Sequence, residues 1–435
     1  MNRKLYFEKL EDKSMMSINL PGDLTHDNTV NIQDVSAMMT AISDQNSYKI
    51  NTGISDADFA KIGDSNRDNQ VNNLDLQQIL ITLAQSPTWF DTNITDPVVK
   101  FYGDKNLQDG ILNRTDMIDL LHAVADEGPL ADNTFTDLKA IANNTSLFGG
   151  STYITQISSD VILGSPANMH YQTQTLGNLQ TGSTPDQLNN LVNKWFLGLD
   201  HPVDGGYAYQ KATGSLFGPN GPTINDPKQG GLGNCAMIAT LGEIADRSPS
   251  IIVDMFVDNG DGTYGVKLYY GNPIYVTVDS YLPSNGESFV FDGAGRNIND
   301  PNNTLWSQLA EKGAAQYWET RSGQNNYENN AYLYGYECLQ IYTGKTTSNL
   351  NSVSNSLKNT VIHAWNDGRL IDFQTQYTQP AGSPIVANHE YALVGYDALA
   401  STFTLFNPWG IEQGLITLTW NQVMSYFIFV DYTTN

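Results

Sequence analysis

Residues 229–238 read Gln-Gly-Gly-Leu-Gly-Asn-Cys-Ala-Met-Ile, a glycine-rich turn running into a helix with Ile238, Leu241 and Ala245 on one face. No other stretch constrains the fold as much, because it demands a core behind the helix and an approachable surface at its start. Asn234 stands where an N-cap is expected, which puts Cys235 in the first turn. There the helix dipole and free N–H groups favour a thiolate. The glycines ahead of it let a substrate backbone come close. Gln229 can donate its amide to a developing oxyanion alongside the N–H of Cys235. The only other cysteine is Cys338, so there is no disulfide framework, and its apolar surroundings mark it as core.

A thiolate nucleophile needs a group that protonates the leaving amine. Of the six histidines, His389 has the most suitable setting. It opens the alternating stretch His389–Asp397, a strand, and Phe403–Trp409 alternates as the return strand. A hairpin turning about Ala398 leaves His389 and Asn407 nine residues from the turn on either side, cross-strand neighbours on one face. The Asn407 oxygen can then accept from one ring nitrogen and aim the other at sulfur, with Trp409 shielding the bond. No other histidine has such a partner in the sequence. Asp258-Asn-Gly-Asp-Gly262 reads as a hairpin turn rather than a Ca²⁺ loop, because strand-like runs flank it.

These residues resemble the protease core of the calpain family, within the papain-like fold. The resemblance covers about 190–435 and includes Gln229-Gly230 through Cys235, and Val276-Thr277-Val278-Asp279 with Leu282-Pro283. It continues through Leu305-Trp306 with Leu309-Ala310-Glu311-Lys312, and ends at Asn407-Pro408-Trp409-Gly410. It implies an α+β cysteine endopeptidase in which a helical half carries Cys235 and a β-rich half carries His389 and Asn407, with the cleft between. By that likeness Cys235 is the nucleophile, His389 the acid/base, Asn407 the orienting residue and Gln229 the oxyanion donor. The family usually has an acidic residue before the nucleophile and a bulky aromatic after it; here these are Asn234 and Ala236. Ca²⁺ dependence of the core is implied too, without ligands that can be matched residue by residue.

The first 130 residues carry an internal repeat. Apolar stripes Val35/Met38/Met39/Ile42, Leu76/Ile79/Leu80/Leu83 and Met117/Leu120/Leu121/Val124 are spaced 41 residues apart, and each marks an amphipathic helix. Before the first lies Asp23-x-Thr25-x-Asp27-Asn28-Thr29-Val30-Asn31-x-x-Asp34, and before the second Asp64-x-Asn66-x-Asp68-Asn69-Gln70-Val71-Asn72-x-x-Asp75. Oxygen-bearing side chains at positions 1, 3, 5 and 12 with an apolar residue at 8 follow the Ca²⁺-loop spacing, and position 7, Thr29 or Gln70, contributes its carbonyl. Asn28 and Asn69 suit the left-handed turn at position 6, and Val30 and Val71 are expected to pair as a short strand. Asp34 and Asp75 double as first-turn charges. Residues 20–86 resemble the duplicated dockerin repeat, so an all-α, EF-hand-like module binding Ca²⁺ is expected, with a protein partner in reach. Ile32-Gln33 and Asn73-Leu74 lack the small hydroxyl pair through which dockerins grip cohesins, which argues against a cohesin. The third copy, Asp104 to Asp116, is one residue too long and is degenerate.

The 435 residues thus divide into a leader-like segment 1–19, repeats over 20–130, a connecting segment over 131–190 and a catalytic core over 191–435. Phe7-Glu8-Lys9-Leu10-Glu11 resembles a segment that opens many exported bacterial proteins, implying a secreted or cell-surface location. With 22 Lys and Arg against 46 Asp and Glu, the net charge of −24 argues against nucleic acid and anionic membranes. No apolar run reaches the roughly 18 residues of a membrane span. A protein or peptide substrate fits best. A thiol acyltransferase or transglutaminase-like enzyme on the same residues, and an inactive Ca²⁺-dependent binding protein, are the alternatives.

Overall fold

The computed structural model describes residues 20–27, 29–85 and 87–434, which divide into two compact units at the Leu112–Asn113 junction. The leader-like segment and Asn28 lie outside the described residues.

In the first unit, helices α1 (Ile32–Ser43) and α2 (Asn73–Gln85) follow the two acidic loops. Asn31 caps α1: its side chain accepts from Gln33 N, and Asp34 returns a bond to Asn31 N, a reciprocal box that satisfies two free donors. Asn69 takes the expected left-handed conformation, φ 68°. Two unforeseen helices, Gln45–Thr52 and Asp56–Gly63, lie between the repeats and bring Tyr48 and Phe59 to the core beside Met38, Ala41 and Ile79. So small a core needs only a narrow stripe from each helix, and Met39 and Leu80 of the expected stripes are exposed. Val30 and Val71 form no strand; they pack on this core instead. In the third copy, Asp104 and Asn106 belong to helix Pro97–Asn106 rather than to a loop.

The second unit begins with α3 (Arg114–Asp126), α4 (Asp132–Asn143), α5 (Thr152–Ile162) and α6 (Pro185–Trp195). A polar connecting segment was the expectation for much of this stretch. Its Asn, Ser and Thr residues occupy the solvent faces, while Leu138, Ile141, Ile157, Val161, Leu191 and Val192 supply a buried stripe. This layer packs against the sheet β1 (Phe256–Asp258), β2 (Thr263–Tyr270) and β3 (Asn272–Asp279), where Tyr153 meets the Thr277 hydroxyl at 2.8 Å. Lys194, fully buried, is held by Asp200 at 2.5 Å and Glu319 at 2.6 Å, which offsets the cost of taking an ammonium out of water. The Asp258–Gly262 segment is the β1–β2 turn, as expected.

Three buried helices follow: α7 (Cys235–Arg247), α8 (Trp306–Tyr317) and α9 (Gly335–Thr343). Beyond them lies an antiparallel sheet of β4 (Thr347–Asn351), β5 (Ile371–Thr375), β6 (Glu390–Asp397), β7 (Thr402–Phe406), β8 (Ile416–Thr419) and β9 (Phe427–Thr433), in the order β8-β7-β6-β5-β9-β4. The helical half and the sheet half give the unit its mixed, α+β character, and α7 packs on β6 and β5 between them. Among the described residues no helix is long and apolar enough to cross a membrane.

The β6–β7 hairpin does not turn about Ala398. Asp397 pairs with Thr402, its carboxylate accepting from Leu399 N and Ala400 N, and a register shift follows between Leu393 and Gly395. The tip therefore holds four residues, and Ala392 faces Phe406.

Candidate active site

Gly230 lies so close to the carbonyls of Val290 and Phe291 that a side chain would overlap them, which seats the glycine-rich turn against the chain at 290–291. Gln229 is tied across to the sheet half, its N–H donating to Pro408 O at 2.7 Å. Asn234 does not cap α7. Its amide donates instead to the buried Glu311 at 2.6 Å, and the second Glu311 oxygen accepts from Asp292 N at 3.0 Å. Buried carboxylates demand donors more strongly than a helix end near solvent does, so the amide is drawn inward. Cys235 is the first residue of α7, half-buried, and its sulfur faces the backbone N–H groups of Glu390, Ala236 and Cys235 itself.

His389 immediately precedes β6 and is locked by an exchange of backbone bonds with Thr375: its carbonyl accepts from Thr375 N, and its N–H donates to the Thr375 hydroxyl, both at 2.8 Å. Its Nε2 lies 3.0 Å from Asn407 Oδ1, which also accepts from Trp409 N at 3.1 Å. The Trp409 ring sits 5.0 Å from the imidazole. The two side chains meet even though the ladder register differs from the expected one: both lie beyond the last β6–β7 pair, Ala392 with Phe406. Gln229, Cys235, His389 and Trp409 all line one cleft of about 390 Å³ between the helical and sheet halves. Gln229 Nε2 donates to Leu232 O at 2.8 Å, and since an amide nitrogen carries two hydrogens, a second donor remains.

The electrostatics differ from the sequence expectation. Burial, reinforced by the Glu390 carboxylate, pushes the Cys235 thiol up to about 11, against the helix-start N–H groups that favour a thiolate. Burial also pushes His389 below its ordinary value, against its bond to Asn407. The resting pair is therefore a neutral thiol and a neutral imidazole.

Sequence reasoning passed over Glu390, which is fully buried, with Oε1 lacking any partner, beside Asp372 of β5 and Asp431 of β9. Its only signal was an acidic residue at an inward-facing position of a strand. A second histidine also has a side-chain partner, in its case a carboxylate: His201 Nε2 lies 2.8 Å from Asp279, which Lys312 contacts as well. That group lies outside the cleft. Cys338 is fully buried in α9, as expected.

In the first unit, carboxylate oxygens of Asp23, Asp27 and Asp34 converge within 4.8 Å of one another, and those of Asp64, Asp68 and Asp75 do likewise. Thr25 and Asn66 flank them, Thr25 N donating to Asp34 and Asn66 N to Asp75. Thr29 and Gln70 N–H groups bond to Asp27 and Asp68. These all-oxygen sets fit a hard cation.

Residues 210–425 match the family model described as calpain family cysteine protease. That match supports a cysteine-type peptidase, a hydrolase whose substrates are proteins or peptides. The likeness to the calpain family covers those residues, just under half of the chain. No curated protein matches the chain.

Proposed function

We propose that the second unit is an endopeptidase with a papain-like cleft, in which Cys235 attacks the peptide carbonyl, His389 moves the proton, Asn407 orients His389 and Gln229 helps to hold the oxyanion. The single observation that carries this reading is the His389–Asn407 hydrogen bond of 3.0 Å in the same cleft as Cys235. Because thiol and imidazole are both neutral at rest, the proton passes from Sγ to the free imidazole nitrogen as sulfur bonds to the carbonyl carbon. The oxyanion accepts from the Cys235 N–H and the remaining Gln229 N–H. Collapse breaks the C–N bond, His389 protonates the departing amine, and an acyl-enzyme remains. Water, losing its proton to His389, then releases the acid and the thiol. Cys235→Ala is expected to abolish hydrolysis of an unfolded protein substrate while leaving the melting temperature within a degree or two. Full activity in that variant overturns the reading. Transfer to an added amine in place of hydrolysis would favour the acyltransferase alternative.

The first unit serves as a Ca²⁺-stabilised, dockerin-like module in this proposal. Asp23, Thr25, Asp27, Thr29 and Asp34 would hold one ion, and Asp64, Asn66, Asp68, Gln70 and Asp75 another, linking each loop to the helix it opens. The exposed Met39, Leu74 and Leu80 offer an apolar surface to a protein partner. Calorimetric titration with CaCl₂ should give two ions per chain, falling to one in Asp64→Ala; no heat of binding would remove the proposal. An exported location is proposed on the leader-like segment alone.

A further inference from the structure

The cleft is walled by exposed rings. Tyr332 is 81 % exposed and Tyr334 41 % on the helical half, and Tyr377 is 65 % and Trp409 41 % on the sheet half. Among the described residues no Lys or Arg lines it, and the one acid that does, Glu390, is buried. Lys228, next to Gln229, is paired with Glu412. A charged peptide side chain entering here would lose water and gain no partner, whereas an apolar one would cover aromatic surface.

Tyr332 lines the cleft together with the nucleophile. Its N–H donates to the carbonyl of Gly233, two residues before Cys235, at 2.9 Å. Its ring lies against Gly233, 3.1 Å from where a Cβ would stand there. Its φ of 60° is in the left-handed region, which a bulky residue occupies only at a cost that the surrounding structure must meet. A large ring held in strained backbone, mostly in solvent and bonded to the turn that presents a nucleophile, gains little from packing where it stands.

We propose that Tyr332 determines the specificity of the cleft: its ring receives an uncharged aromatic or large aliphatic side chain of the peptide residue beside the scissile bond. This rests on the peptidase reading, and it names the substrate class as peptides with apolar, uncharged residues flanking the cleaved bond. The outer face of the Tyr332 ring supplies the contact surface, and the sheet-half rings close over the substrate from the other side.

Dye-labelled peptides that differ only in a central Phe, Ala or Glu test this in two ways. Their affinity is read by anisotropy on full-length Cys235→Ala, and kcat/KM on the unaltered chain. Phe is expected to exceed Glu by about tenfold or more in both. Tyr332→Gly, which suits a left-handed φ, should bring the ratio near unity while the alkylation rate of Cys235 by iodoacetamide is unchanged, and Tyr332→Phe should restore it. Equal affinities for Phe and Glu peptides, or a ratio that Tyr332→Gly leaves intact, overturn the proposal. A chain that binds Phe peptides selectively and cleaves none would instead defeat the peptidase reading and leave the role of Tyr332 standing.

Discussion

At the scale of single residues, a half-buried thiol beside a buried acid governs the chemistry. Glu390 donates its backbone N–H toward the Cys235 sulfur, yet its side chain opposes the thiolate. Burial pushes Glu390 itself up, as do the neighbouring charges of Asp372 and Asp431. The charge of Glu243 also reaches Asp372, and Glu243 pairs with Arg247. The alkylation rate of Cys235 is therefore expected to climb from pH 6 to 9.5 without a plateau. Glu390→Gln, which removes that carboxylate, should alkylate several-fold faster than the unaltered protein at pH values where the carboxylate is ionised and no faster where it is protonated. Superimposable pH profiles for the two proteins would show that Glu390 exerts no such field. A histidine preceding a strand is readable from sequence; that its neighbour would be a partnerless buried acid is not, because cross-strand neighbours come from distant segments.

At the scale of elements, α7 must lie hard against β7 for Cys235 to reach His389. Gly242 makes this possible, since a Cβ there would overlap the Phe406 ring. Alanine favours a helix over glycine by about 1 kcal/mol, but overpacking a core costs about 1–3 kcal/mol. Gly242→Ala is thus expected to destabilise the domain by about 0–2 kcal/mol and to slow alkylation of Cys235, as denaturant titration and labelling would show. A more stable variant would mean that the sheet yields. The α7 stripe of Ile238, Leu241 and Ala245 was legible, and all three are buried. The β6–β7 register was not, because the four-residue tip depends on Asp397 bonding to two N–H groups, a local competition that alternation does not report.

At the scale of the whole molecule, the second unit buries acids that the unfolded chain would leave in water. Burial raises Glu243 and Glu311 to about 8 and Asp292 to about 6. Between roughly pH 4.5 and 8 the folded state holds protons that the unfolded state has lost, so stability falls as pH rises through that window and levels off above it. Scanning calorimetry should show the melting temperature of this unit dropping from pH 5 to 8, with a shallower slope in Glu311→Gln. A flat or rising profile would contradict these protonation states. The first unit has its own dependence: chelation with EDTA is expected to lower its melting transition and leave the second unit's unchanged, and an unmoved first transition would speak against Ca²⁺ in its loops.

Local chemistry carried by a few adjacent residues was determined by the sequence alone. The glycine turn before Cys235, the left-handed Asn69, the Asn31–Asp34 box that opens α1 and the Asp258–Gly262 turn each follow from short-range sterics and hydrogen bonding. So did the mixed helical and stranded character of the second unit. Tertiary structure alone decided where buried polarity would go. Asn234 turned from the helix end to Glu311 because a desolvated carboxylate outbids a solvated cap, and the thiol lost its expected acidity because packing removed water from it. The polar stretch from Asp132 to Trp195 became a docked helical layer once α5 and α6 met the β1–β3 sheet, since a sheet face must be covered and only the assembled fold supplies that demand.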